Sequence, residues 1–408
     1  MLNVECFSEF ANFELANFEL ANFQPANFQP ATYYALPMID LWDINAIDQH
    51  AHNLLTSSAA SCYPYPAAFT EGYDDEIVNH HARHSLFYRR SLRDIAQLLE
   101  CEPEEEAIVK CRMQLGLEKL TQRCFNASKL KTVFLDDGFL PDEILPIEWH
   151  EQFVSVQRIL RLEHLAEKFI SEEDNFGWFL ERFRSEIDPL PTGVVALKSI
   201  AAYRTGLDIQ VTPRDFAEHH FYRLKNEAKD KPVRLADKPL IDFLVTQALE
   251  IAAKHRIPVQ FHTGFGDPDL DLRLSNPLYM RSLFKDTRFH NAPIVLLHGS
   301  YPYAQEAGYL ASVYPQVYLD FGLAVPFLSV AGMRRVMQQL LELAPSSKLM
   351  YSSDAHNIPE LYYLGAKWGR EVLAQVLDEA IKDSDLTAKE AESVATAILS
   401  ENARTLYF

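Results

Sequence analysis

From residue 39 onward the chain repeats one pattern, in which a short run rich in Val, Ile and Leu ends in a polar residue and passes into sequence of helical character. Eight such runs occur: Ala46 to His52, Thr132 to Asp137, Val154 to Arg161, Val194 to Ala201, Val259 to Thr263, Ile294 to Gly299, Val317 to Gly322 and Leu349 to Ala355. Strands that alternate with helices predict a parallel sheet with right-handed crossovers, and eight is the number that closes a barrel. The third run leads into Ile159 to Phe169, which reads equally well as helix. Between Lys238 and His255, Leu240, Ile241, Leu244, Ala248, Leu249 and Ala252 form an apolar helical stripe before the fifth run. The fold class expected is therefore α/β, a (β/α)8 barrel of the TIM type.

Two segments depart from the pattern. Asn53 to Lys131 is far longer than an ordinary strand-to-helix loop. It reads as a helical insertion over about 56–130, with amphipathic helices at Arg89 to Leu99 and Glu104 to Cys124. As a connection after the first strand it should sit over the C-terminal mouth, where such barrels carry their chemistry. Residues 11 to 30 read ANFEL-ANFEL-ANFQP-ANFQP. A period of five fits neither helix nor strand, and Pro25 and Pro30 interrupt helix. Residues 1–37 are expected to be a low-complexity, poorly ordered arm, with its phenylalanines as partner anchors the functional alternative, and 38–408 the barrel domain.

Composition narrows the function classes. With 38 basic and 57 acidic residues the 408-residue chain carries a formal charge of −19, which argues against nucleic acid as the main partner. No apolar run is long enough to span a membrane, and the first basic residue is Arg83, so no secretory signal is expected and the location expected is cytoplasmic. Five cysteines without CxxC spacing (Cys6, Cys62, Cys101, Cys111, Cys124) read as free thiols. The partner expected is a small-molecule substrate, and a homo-oligomer is open.

The chemistry lies at the ends of the runs. His50 and His52, two apart in a strand, leave the same face. Alone, His-x-His is also what a solvated strand shows. Lys198, His262, His298 and Asp354 each end an apolar run, the fourth, fifth, sixth and eighth. Burying such groups unpaired costs several kcal/mol each, and one metal site answers that cost for all of them.

In this order the residues resemble the amidohydrolase superfamily of metal-dependent hydrolases. IDQHAHNLL, LKSIAAYRTGLD, FHTGFGDPDLDLR, LLHGSYPYAQEAGYLA, YLDFG and YSSDAH further resemble the amidohydrolase-like module found alone or fused to glutamine-synthetase-like domains, over roughly residues 39 to 408. The resemblance implies that His50, His52 and Asp354 bind a first cation. It implies that His262 and His298 bind a second or, with one cation, divide between ligand and catalytic roles. Lys198 would be carbamylated to bridge two cations, or remain an ammonium. Nitrogen and oxygen donors suit zinc and are compatible with manganese or iron. Such a cation lowers the pKa of water from about 15.7 to about 7, roughly 12 kcal/mol, with Asp354 taking and delivering the proton. The activity implied is cleavage of an amide or related C–N bond in a small carboxylate-bearing molecule, a γ-glutamyl amide on family analogy. The alternatives are a one-metal decarboxylase and a non-catalytic metal-binding interaction module.

Arg204 offers a fork for a carboxylate, with Tyr203 beside it. Asp267, Asp269, Asp271 and Arg273 form a loop that could read an ammonium group, and Tyr301, Tyr303 and His356 complete the candidates for substrate contact. His80, His81 and His84 read as a polar helix face lining the insertion, and Gly264 and Gly266 as turn glycines.

Overall fold

A computed structural model describes residues 39–229 and 231–408, so the ANFEL/ANFQP arm and Cys6 lie outside the described residues. Eight parallel strands are arranged in chain order: β1 (Ala46–Ala51), β2 (Leu130–Asp136), β3 (Ser155–Arg161), β4 (Val194–Ser199), β5 (Val259–Phe261), β6 (Ile294–Leu296), β7 (Val317–Asp320) and β8 (Leu349–Met350). The ring closes between its first and last members, where Gln49 N donates to Tyr351 O (3.2 Å), Asp354 N to His50 O (3.0 Å) and His52 N to Ala355 O (2.8 Å). The expected barrel is the observed fold.

Local chemistry accounts for the elements. The stripe before β5 is a helix, Lys238–His255, started by Asp237, whose side chain accepts from Leu240 N. Its predicted apolar residues are all buried, each contributing roughly 1.5–3 kcal/mol of transfer free energy for a large aliphatic side chain. The third run divides: strand to Arg161, then helix Leu162–Glu172.

Two expectations need correction. β5, β6 and β8 stop short of the predicted runs, so His262, His298 and Asp354 lie on the loops beyond the strands. His298 (φ 67°) and Asp354 (φ 53°) adopt left-handed backbone, which an extended ladder cannot contain. The long insertion does not lie over the mouth as a whole. Its helices Leu86–Leu99 and Glu105–Ser128 pack in the outer ring against Pro359–Lys382. Arg90 stacks on Trp368 at 4.0 Å, the Phe125 and Tyr362 rings lie 4.8 Å apart, and Arg112 pairs with Glu360. The insertion reaches the mouth through a shorter piece, where the Tyr73 hydroxyl donates to Asp269 Oδ1 at 3.0 Å.

Ile47, Phe134, Ile159, Ala196, Val295 and Met350 fill the lower barrel, joined by Ala403 and Tyr407. Above them lies a polar layer of Gln49, Gln260, Asp320 and Ser352, and above that the candidate site. Among the described residues, no helix is long and apolar enough to cross a membrane.

Candidate metal centre

Pairing of β1 with β2 is irregular between Asp48 and Ala51. Sequence neighbours Gln49 and His50 can therefore both make contacts inside the barrel, as a strand bulge allows. His50 Nε2 lies 3.1 Å from Asp354 Oδ1, and His52 Nε2 lies 3.4 Å from the same oxygen. All three residues are buried, and their donor atoms lie within 4.8 Å of one another.

Hydrogen bonding on the far side of each ring settles what those nitrogens offer. His50 Nδ1 faces Gln260 Oε1 at 2.8 Å and His52 Nδ1 faces the Asp136 main-chain oxygen at 2.9 Å. Carbonyl oxygens accept only, so each Nδ1 carries a proton and donates it. In the neutral rings Nε2 is then a lone pair, aimed at a carboxylate. Burial and the nearby Lys198 charge push His50 down to about 4, so a second ring proton does not resolve the conflict near neutrality. Asp354 Oδ1 and His298 Nδ1 are buried without a hydrogen-bond partner. A cation fits this set. Bonds of 2.0–2.2 Å place neighbouring donors roughly 2.9 Å apart in an octahedron and about 3.4 Å in a tetrahedron, a range spanning the two His–Asp edges of 3.1 and 3.4 Å.

The supports are buried too. Burial opposes ionisation of Asp354, and His298, His50 and His52 draw the carboxyl well below the usual carboxylate range only through the charge and ring N–H groups they present when protonated, a role a bound cation would take over from the neutral rings. Asp48 accepts from Ser353 N (2.9 Å) and Ser353 Oγ (2.5 Å), fixing the residue before the Asp354 turn. His356 Nδ1 donates to Asp354 O at 3.1 Å, so this candidate substrate contact also braces the turn.

The other predicted residues take distinct places. Lys198 Nζ lies 3.3 Å from His50 Nε2, and burial pushes its ammonium down to about 8 against the pull of Asp136 and Asp354. His298 Nδ1 stands 3.8 Å from Asp354 Oδ2. The His262 ring lies 4.4 Å from that of His298, and its Nε2 donates to Phe265 O at 3.0 Å, leaving Nδ1 as the lone pair. His262 and His298 lie outside the group of convergent histidine and carboxylate donors. Tyr203 packs on His262 at 4.4 Å. Gly264 (φ 76°) and Gly266 are close-approach positions, since a Cβ would collide with Tyr301 O and Tyr203 Oη respectively.

Arg204 is paired with Glu167 at 3.3 Å, but its Nε and Nη1 are buried without partners. Asp267 is half-buried, its carboxyl raised by burial and by Asp269. Tyr301 lies edge-on to Phe265 at 5.4 Å on the rim. Among the insertion histidines, His80 and His81 sit exposed, 3.8 Å from Glu76, as a polar face would.

Sequence reading missed Glu71, Asp136, Gln260 and Asp320. Glu71 is half-buried, and burial together with the charges of Asp354 and Asp267 pushes its carboxyl up to about 8. Asp136 accepts a fork from Arg161, Nη2 to Oδ2 at 2.6 Å and Nε to Oδ1 at 3.1 Å. Gln260, Asp320 and Asp136 carry a readable signal, each being a polar residue inside an apolar strand run. Glu71 carries none.

Comparison with known proteins agrees with this geometry. The amidohydrolase family profile matches residues 221–408. Protein fluG of Emericella nidulans is 33% identical over 397 residues, covering 88% of this chain, which spans 45% of that protein's length. A Lactobacillus casei protein named as a metal-dependent hydrolase is 30% identical with a TM-score of 0.79, over 90% of this chain and 96% of that one. A uronate isomerase from Thermotoga maritima shares the fold alone, at TM-score 0.60 and 14% identity over 90% and 95% of the two chains. By its barrel, its buried His50–His52–Asp354 group and these likenesses, the chain belongs to the amidohydrolase superfamily of metal-dependent hydrolases.

Proposed function

We propose that the protein hydrolyses an amide or related C–N bond in a small amino-acid-like molecule, a γ-glutamyl amide being the substrate this reading favours. The observation that carries the hydrolytic part is the pair of imidazole lone pairs facing one buried carboxylate. His50 Nε2, His52 Nε2 and Asp354 Oδ1 would hold one divalent cation, zinc by its preference for nitrogen and oxygen donors. When bound, such a cation acidifies water toward neutrality and polarises a carbonyl.

The chain's own residues do the rest. Asp354, held ionised, takes the water proton at Oδ2 and passes it toward the leaving nitrogen. His298, with Nδ1 unpartnered 3.8 Å from that oxygen, stands on the proton's route. Asp320 Oδ1 accepts from His298 N at 2.6 Å and keeps the ring aimed. The mouth is of mixed charge: Asp267 and the Tyr203 hydroxyl can receive an ammonium, while the free donors of Arg204 suit a carboxylate. Those paired requirements are what an α-amino-acid head presents.

A second cation at His262 and His298, with Lys198 as its carbamate, is the alternative arrangement. His262 keeps a lone pair at Nδ1 and could ligate; what favours the single site is that, among the described residues, the histidine and carboxylate donors that converge are those of His50, His52 and Asp354. The test is incubation of zinc-loaded protein with a panel of γ-glutamyl amides and plain amides, reading released amine, CO₂ and metal per chain. Amine release from γ-glutamyl amides, abolished in Asp354→Asn, supports the proposal. CO₂ without amine replaces hydrolysis with decarboxylation, and metal uptake without any turnover leaves a binding module.

A further inference from the structure

We propose that Tyr407, on the helix Asn402–Tyr407 at the opposite end of the barrel, is a positioning residue that sets which nitrogen of His50 faces the metal centre. The inference rests on the metal reading above and concerns its control from below.

The geometry is a chain of hydrogen bonds whose directions are forced. Gln260 Nε2 donates to Gln49 O at 2.8 Å. A main-chain carbonyl cannot donate, so the nitrogen end of the Gln260 amide is identified and Oε1 must face His50 Nδ1. Rotating that amide by half a turn would put NH₂ against Nδ1, drive the ring proton to Nε2 and remove the lone pair from the Asp354 side. Its second hydrogen is shared between two further acceptors that also oppose the rotation, Gln49 Oε1 at 2.8 Å and Tyr407 Oη at 2.9 Å. The Tyr407 hydroxyl in turn donates to Gln49 Oε1 at 2.5 Å, which fixes the Gln49 amide with its Nε2 on Asp320 Oδ2 at 2.7 Å. Asp320 also receives Ser352 Oγ (2.5 Å) and His298 N. One hydroxyl thus touches both amides, one leading to the His50 side chain and the other, through Asp320, to the His298 backbone.

Tyr407 is itself held. Its ring lies 4.9 Å from Phe134, edge to face, inside the lower barrel. Asn402 Nδ2 donates to Ser346 O and Leu349 O, both at 2.7 Å, tying the helix to the start of β8.

The test is Tyr407→Phe, which keeps the ring and removes the hydroxyl. In metal-free protein, nitrogen NMR of ¹⁵N-histidine reads the His50 tautomer, its signals identified by their loss in His50→Asn. The variant should show a new population protonated at Nε2, and its zinc affinity, by competition with a chromophoric chelator, should fall about 10-fold, the lower end for losing an outer partner of a ligating histidine. Gln260→Met, which removes the acceptor outright, should give a larger shift in both and shows the size of a full effect; Tyr407→Leu, which also lacks the hydroxyl, stands in if Tyr407→Phe does not fold. Unchanged His50 signals in the tyrosine variant overturn the proposal whatever the metal does. If wild-type protein takes up no metal but the tautomer still shifts, the metal reading fails and the hold of Tyr407 on His50 stands.

Discussion

Replacing Asp136 by Asn tests whether the site is braced by a buried ion pair. The two side chains of the pair are 0% and 9% exposed, and Arg161 grips both carboxylate oxygens. Burial alone would raise the Asp136 carboxyl, but Arg161, His52 and Lys198 hold it well below the usual range. Asparagine keeps the shape and leaves Arg161 charged and unpaired in the interior, which costs about 3–5 kcal/mol. At about 2.1 cal/mol/K per residue, the about 370 residues of 39–408 give an unfolding entropy of about 0.8 kcal/mol/K, so the expected fall in Tm is about 5 °C. The assay is calorimetry of metal-free protein at one scan rate on a four-member cycle of wild type, Asp136→Asn, Arg161→Met and the double variant. The double variant should recover most of the loss, because neither charge is then left alone. Metal content should stay at the wild-type level, since His52 Nδ1 is held by the Asp136 main chain and not by its side chain. A Tm shift under about 1 °C, or a double variant as unstable as the two losses added, would refute the coupling.

Further outcomes follow from other groups. Asp354→Asn and His52→Asn should each bring metal per chain, by inductively coupled plasma mass spectrometry, toward zero, whereas His80→Asn should leave it unchanged. Folded Lys198 is pushed down from 10.5 to about 8. The unfolded chain therefore binds more protons between about pH 8 and 10.5, so stability of the metal-free protein should rise with pH across that window, by at most about 3 kcal/mol. Lys198→Met should flatten the slope in urea unfolding. Arg204→Met should raise KM for a carboxylate-bearing substrate by about 10- to 100-fold, the loss of a charge-assisted hydrogen bond, while an analogue lacking the carboxylate shows no such change.

Much of this was legible in the residues, for a physical reason. In a parallel barrel each strand needs an apolar run, so a polar residue ending one stands out, and the chain order of His50, His52, Lys198, His262, His298 and Asp354 could be read directly. Element types followed from the same periodicity, down to the 238–255 helix. Tertiary structure alone decided where strands stop, because the left-handed turns at His298 and Asp354 are set by hydrogen bonds to Asp320 and to Ser353 by way of Asp48. It also decided that the helix Glu105–Ser128 packs against Pro359–Lys382 in the outer ring, as one amphipathic stripe fits either surface. Which nitrogen of His50 carries a proton depends on Gln260 and, beyond it, on a tyrosine near position 400, contacts between residues hundreds of positions apart that no local pattern encodes.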